Sequence, residues 1–196
     1  MPRKTVPVML RIKGEKRRFH LPFERDRKEL IMISSHPTKE DHVLVWRKRK
    51  EEFGEMDWHH VSAYEAKVTE KGIQEDPKKR VVSSIGDATP ETPADTKVMD
   101  VFHVKVHPDL RGKGLGTAVR EHMIAMGKNL ETRGVYFPRT EDHPTEFYQE
   151  RGFDKEHEAR MEELDYCNRE GLVDLSKKLE EKGFKVLWAK HRKYKD

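Results

Sequence analysis

The chain has 196 residues, of which 39% are charged, with a formal net charge of +4 and a single cysteine, Cys167. This length suffices for one well-cored domain. No run of about eighteen apolar residues exists to span a membrane, and one cysteine excludes an intramolecular disulfide and suits a reducing cytoplasm. The opening Met-Pro-Arg-Lys-Thr-Val lacks the apolar core of a signal peptide, so a cytoplasmic location is expected. Charge is unevenly spread: residues 1–30 carry +6 and residues 177–196 carry +5, leaving −7 between them. Basic ends suit a nucleic-acid or acidic-protein partner, but here the cations are interleaved with apolar residues, as on an ordinary solvated surface.

In chain order, residues 6–12 and 18–21 read as two strands of a hairpin around Gly14. Residues 30–33 and 42–46 read as two more, separated by a polar turn with Pro37. Residues 47–52 are nearly all charged, and residues 56–68 give no clear assignment. A strand follows at 81–85, then an exposed loop at 87–95, rich in proline and small polar residues. Residues 101–106 form an apolar run suited to a buried strand. Leu115, Val119, Met123 and Ile124 recur at helical spacing, which predicts a helix from 115 to about 128. A short strand at 134–137 and a short helix carrying Phe147 and Tyr148, capped by Gly152, come next. Met161, Leu164 and Cys167 continue at helical spacing; Leu172, Leu175 and Leu179 lie on a further helix that Gly183 ends, before a last strand at 184–188.

The chemistry concentrates after the 101–106 strand. Pro108 and Asp109 stop it, and Gly112, Gly114 and Gly116 allow another molecule to approach the backbone closely. The free N–H groups at the following helix start, flanked by Arg111 and Lys113, suit a phosphate. A nucleotide P-loop is excluded because Gly114, not Ser or Thr, follows Lys113, and the dinucleotide fingerprint fails because Thr117 stands where glycine is needed. His36, His42, His59 and His60 match no zinc spacing, and no metal is expected.

Arg111-x-x-Gly114-x-Gly116 after a strand ending Val-x-Pro, followed about thirty residues later by Phe147-Tyr148-Gln149-Glu150-Arg151-Gly152-Phe153, resembles the GNAT superfamily of acyl-CoA-dependent N-acyltransferases. The resemblance covers residues 98–153. It implies an α/β GNAT-like fold: a central mixed β-sheet flanked by helices, here with a β-rich N-terminal addition and a helical C-terminal insertion. One domain over 1–196 is expected, with a β-hairpin extension at 1–35, an acetyl-CoA-binding core at 98–153 and the helical insertion at 154–182. The 184–188 strand would then supply the family's final strand.

The implied activity is transfer of an acetyl group from acetyl-CoA to an amine by direct attack, without a covalent intermediate. By the resemblance Arg111, Gly112, Lys113, Gly114, Leu115, Gly116 and Thr117 hold the pyrophosphate, while Val104 and Val106 act through their main chain on the pantetheine and thioester. Tyr148 is the proton donor to the leaving thiolate, since a phenol with pKa near 10 stays protonated at neutral pH. Asp100 at the start of the strand is the candidate base, working through water. His103 is its substitute, although strict alternation points it to the opposite face from Asp100. Glu141 stands where many relatives carry asparagine, and with Asp142 and His143 it is available to a cationic acceptor. The acceptor amine is open between a small molecule, a protein and an aminoacyl-RNA, as is assembly into a homodimer. The rival reading is a catalytically silent module that senses acyl-CoA or binds nucleic acid or protein.

Overall fold

The computed structural model describes residues 4–12, 14–23, 29–53, 56–91, 96–129, 132, 134–137, 145–150, 153, 158–160 and 172–190. Strands β1 (Lys4–Ile12) and β2 (Glu15–Phe23) pair antiparallel across Gly14, whose φ of 86° the turn requires. One face of this hairpin carries Val6, Val8, Leu10, Phe19 and Leu21, all buried.

The remaining strands form one eight-stranded sheet. They are β3 (Leu30–Ser35), β4 (His42–Phe53), β5 (Met56–Thr69), β6 (Gly72–Glu91), β7 (Thr96–Val106), β8 (Gly134–Tyr136), β9 (Glu158–Arg160) and β10 (Val186–Lys190), in spatial order β10-β3-β4-β5-β6-β7-β8-β9. Neighbours are antiparallel except β7 and β8. That parallel pair needs a crossover, and helix α1 (Leu115–Asn129) provides it.

Two cores result, one on each face. Alternate residues of β3 divide between them: Leu30 and Met32 join Leu44, Trp46, Val61 and Ala63 under the helices, while Ile31 and Ile33 join Val43 and Val45 under the hairpin. Coverage of both faces explains why β3 reads as a continuous apolar run rather than an alternating one. The first core is closed by Leu115, Ala118, Val119, Met123 and Ile124 of α1, by Leu175 and Leu179 of α3 (Leu172–Glu181), and by Tyr148 of the short α2 (Thr145–Gln149). Trp46 Nε1 donates to Ser34 Oγ at 2.9 Å, so the one polar atom of this buried indole is satisfied. On the hairpin side, buried Arg47 donates to Glu29 at 2.9 Å and to Glu75 at 2.9 and 2.6 Å, joining β4 to β6 and to the start of β3.

This architecture corrects the expected α/β fold. Strands predominate among the described residues, α1 and α3 share one face of the sheet, and the opposite face over β3–β5 is covered by the hairpin, not by helices. The cause is visible in β4, β5 and β6, which run extended over 12, 14 and 20 positions and leave only residues 54–55 and 70–71 between them, too few for a helix. The expected helical insertion at 154–182 contributes strand β9, paired with β8, before α3 begins. Met161, Leu164, Cys167 and the Gly152 cap lie outside the described residues, as do Glu141, Asp142 and His143. Strand β10 pairs with β3 at the edge of the sheet far from β8, so it does not follow the family's final-strand position. Residues 87–91, read as loop, extend β6, because pairing with residues 96–100 overrides their turn composition even at Pro90.

Candidate functional site

Strand β7 is the spine of the site. It pairs with β8 only through Val98, Met99 and Asp100. Beyond Asp100 its β8-side edge has no strand partner among the described residues. On the other side the register with β6 slips: Ile85 faces His103 but Gly86 faces Val101, and Phe102 is the extra residue. This β-bulge breaks alternation. Asp100 opposite Asp87 and His103 opposite Ile85 therefore lie on the same sheet face, away from α1, which corrects the expectation that they diverge. Val104 and Val106 turn to the α1 side, where they pack on the first core.

At the end of β7, a single 3-10 turn over Pro108–Leu110 is pinned by buried Leu110, and His107 Nδ1 accepts from Asp109 N at 3.4 Å. Gly112 and Gly114 then adopt φ of 70° and 83°, a region costly for any residue with a Cβ. Gly114 has a second constraint. A Cβ there would stand 2.9 Å from both Cβ and Cγ of Lys182, which follows α3. Ala118 N donates to Gly114 O at 2.9 Å, which fixes the start of α1 and leaves the N–H groups of Leu115, Gly116 and Thr117 without intrahelical acceptors. The first turn carries no acidic residue to occupy them.

A groove of about 1180 Å³ runs along this corner and around the open edge of β7. Of the residues expected at the coenzyme site, Val104, Val106, Arg111, Gly112, Gly114, Leu115, Gly116 and Thr117 line it; exposed Lys113 does not. Among the described residues the lining also holds five cationic side chains, Arg80, Lys105, Arg111, Arg120 and Lys182, and no carboxylate. Arg111 Nε donates to Val106 O at 3.2 Å, which folds its guanidinium back over the strand end.

Neither Tyr148 nor Asp100 lines the groove. Tyr148 is 0% exposed and sits among Phe137 and Phe153, with ring centroids 4.9 and 5.5 Å away. Its hydroxyl accepts from Arg120 Nε at 3.0 Å. Burial pushes the phenol pKa up, against the pull of the Arg120 charge, so the hydroxyl stays protonated. His103 does line the groove, with Nε2 at 2.8 Å from Ser83 Oγ. Burial holds its pKa below the usual histidine value, assisted by the charges of Lys105, Arg80 and His60, so the imidazole is neutral at pH 7. Beside it, Phe102 is 46% exposed and stacks on Trp58 with centroids 5.6 Å apart.

Sequence reasoning missed Arg80, Ser83, Phe102, Lys105, Arg120 and Lys182. Lys105 alternates with His103 on one strand, a local signal that was available. Arg80 and Lys182 come from β6 and the end of α3, and only the fold brings them to the loop.

The chain matches no family model, no curated protein and no solved structure.

Proposed function

We propose that the groove binds acetyl-CoA and that the chain is an N-acyltransferase. The observation that carries this reading is the groove at the start of α1, whose charged lining among the described residues is wholly cationic, built on the Arg111-x-x-Gly114-x-Gly116 sequence. A pyrophosphate would take the free N–H groups of residues 115–117, with Arg111 and Lys182 alongside. The open edge of β7 near Val104 and Val106 would offer main-chain groups to the pantetheine and the thioester carbonyl.

The chemistry is direct attack. The amine nitrogen forms a bond to the thioester carbon, the C–S bond breaks, and the amine proton passes to a base while the thiolate takes up a proton. A neutral imidazole lining the groove makes His103 the stronger base by position, ahead of Asp100. Deprotonating a lysine-type amine at pH 7 costs roughly 4–5 kcal/mol, and an α-amine about 1 kcal/mol, so the base matters most for the first. Tyr148 holds Arg120 at the groove wall by accepting its Nε hydrogen bond; to serve as the proton donor its phenol would have to reach the groove itself.

The burial of Tyr148 also favours the second reading, an acyl-CoA-binding module without turnover. Thermal unfolding with and without acetyl-CoA tests the common part: ligand at 100 times Kd adds about 2.7 kcal/mol. A rise in Tm that Gly114→Glu abolishes supports the coenzyme site; no rise at millimolar acetyl-CoA overturns it. Thiol release with an amine panel then separates enzyme from module.

A further inference from the structure

The cations of the groove divide between two faces of the sheet. Arg111, Arg120 and Lys182 stand on the α1 side with the glycine loop. Ser83 is opposite Lys105 and also opposite Ser62, while Arg80 is opposite Tyr64, so Arg80, Ser83 and Lys105 share the far face with His103. A pyrophosphate held at the loop cannot use that second group without crossing the edge of β7.

We propose that Arg80, Lys105 and Ser83 form a second anion subsite for the acceptor, which is a primary amine carrying a phosphate. This deepens the acyltransferase reading and rests on it. Three observations converge. Neither Arg80 nor Lys105 has a carboxylate partner among the described residues, although many other cations of the sheet do, such as Arg47, Arg49 and Lys39. Both line the groove with His103 and share its sheet face, which places two positive charges without a described carboxylate partner beside one groove-lining group. Arg80, Ser83, Lys105 and His103 line the same groove of about 1180 Å³ as the glycine loop, so an acceptor held by them shares one space with the coenzyme.

The arrangement has a chemical logic. A dianionic phosphate neutralises Arg80 and Lys105 and can accept from the Ser83 hydroxyl, as charge-assisted hydrogen bonds favour. The amine of the same molecule is then set near neutral His103. His103 accepts the proton that the amine loses. Nitrogen bonds to the acetyl carbon, the C–S bond breaks, and the thiolate leaves as CoA after protonation. The same charges repel polyamines and lysines in basic peptides.

The test compares O-phosphoethanolamine with ethanolamine as acceptors at saturating acetyl-CoA, reading thiol release. A preference in kcat/KM of about ten- to a hundredfold for the phosphorylated amine is expected, the span of one or two charge-assisted hydrogen bonds. In an Arg80→Gln/Lys105→Gln double variant the ratio falls to about one, with the Tm rise caused by acetyl-CoA still present. Equal rates in the unaltered protein overturn the proposal, as does a double variant that loses the acetyl-CoA response, which would assign both cations to the coenzyme. If acetyl-CoA produces no Tm rise at all, the acyltransferase reading fails, and inorganic phosphate decides the subsite alone. A Tm rise with phosphate that the double variant lacks retains the anion subsite, and no rise overturns it.

Discussion

Arg120 Nε donates to the Tyr148 hydroxyl at 3.0 Å, so a hydrogen bond joins the groove to the aromatic cluster behind it. Gly116 makes this fit: a Cβ there would stand 2.9 Å from an Arg120 guanidinium nitrogen. The arginine thus belongs both to the surface that meets an anion and to the buried packing of α2 on α1.

Tyr148→Phe keeps the ring and removes the acceptor. Unfolding in urea should register a loss of about 1 kcal/mol. If the phenol protonates the thiolate, kcat falls by about a hundredfold while the acetyl-CoA-induced rise in Tm persists. A normal kcat in this variant would remove Tyr148 from the reaction.

Gly114→Ala tests the loop itself. The new methyl meets Lys182 at 2.9 Å on a backbone held at φ 83°, and a strained non-glycine residue there costs of order 1–3 kcal/mol. Chemical denaturation gives the stability change. Isothermal titration with acetyl-CoA should give weaker binding, because the N–H groups of the next turn are displaced. Unaltered affinity would place the ligand elsewhere.

Arg47 sets a purely structural test. Burial opposes its charge, yet the hydrogen bonds and charges of Glu75 and Glu29 hold its pKa above the ordinary arginine value. Removing one partner of such a buried network is strongly destabilising, so Glu29→Ala should cost about 3–5 kcal/mol, read from the urea midpoint. A loss under about 1 kcal/mol would mean that water replaces the carboxylate.

Stability should also depend on pH through histidine. His36 Nδ1 accepts from Thr38 N at 3.2 Å and Lys39 N at 3.1 Å, so protonating it breaks the turn between β3 and β4. Burial lowers its pKa below 6.5 despite nearby Glu65, and His103 is lowered as well. The unfolded chain therefore takes up these protons first. Stability is full above the unfolded value, falls as pH drops through about 6.5, and levels off below the folded values. His36→Asn keeps an acceptor for the turn without the titration. Its urea midpoint should vary less between about pH 5.5 and 7.5 than that of the unaltered protein.

The local pieces of the site were legible because their signals are local. The 101–106 strand, the stop at Pro108, the glycines and the helix from Leu115 each follow from neighbouring residues. The hairpin about Gly14 and the helix ending at Gly183, whose φ is 84°, were equally readable. Two kinds of feature were not. The bulge at Phe102 depends on register with β6, so alternation alone sent His103 to the wrong face. The layer arrangement depends on which strands meet: β5 carries polar residues such as His59 and His60 that hide its period, and β10 crosses to β3 for reasons no window around it contains.

That crossing has a consequence for biogenesis. Lys185 N donates to Ser35 Oγ across 150 positions, and β10 is the only neighbour of β3 on that side among the described residues. At translation speeds of about 5–20 residues per second, the apolar β3 emerges roughly 8–30 seconds before the strand that covers it. Throughout that interval an adhesive margin is presented to every other nascent chain nearby. The same late segment brings Lys182 to the glycine loop, so protection from self-association and completion of the groove arrive together.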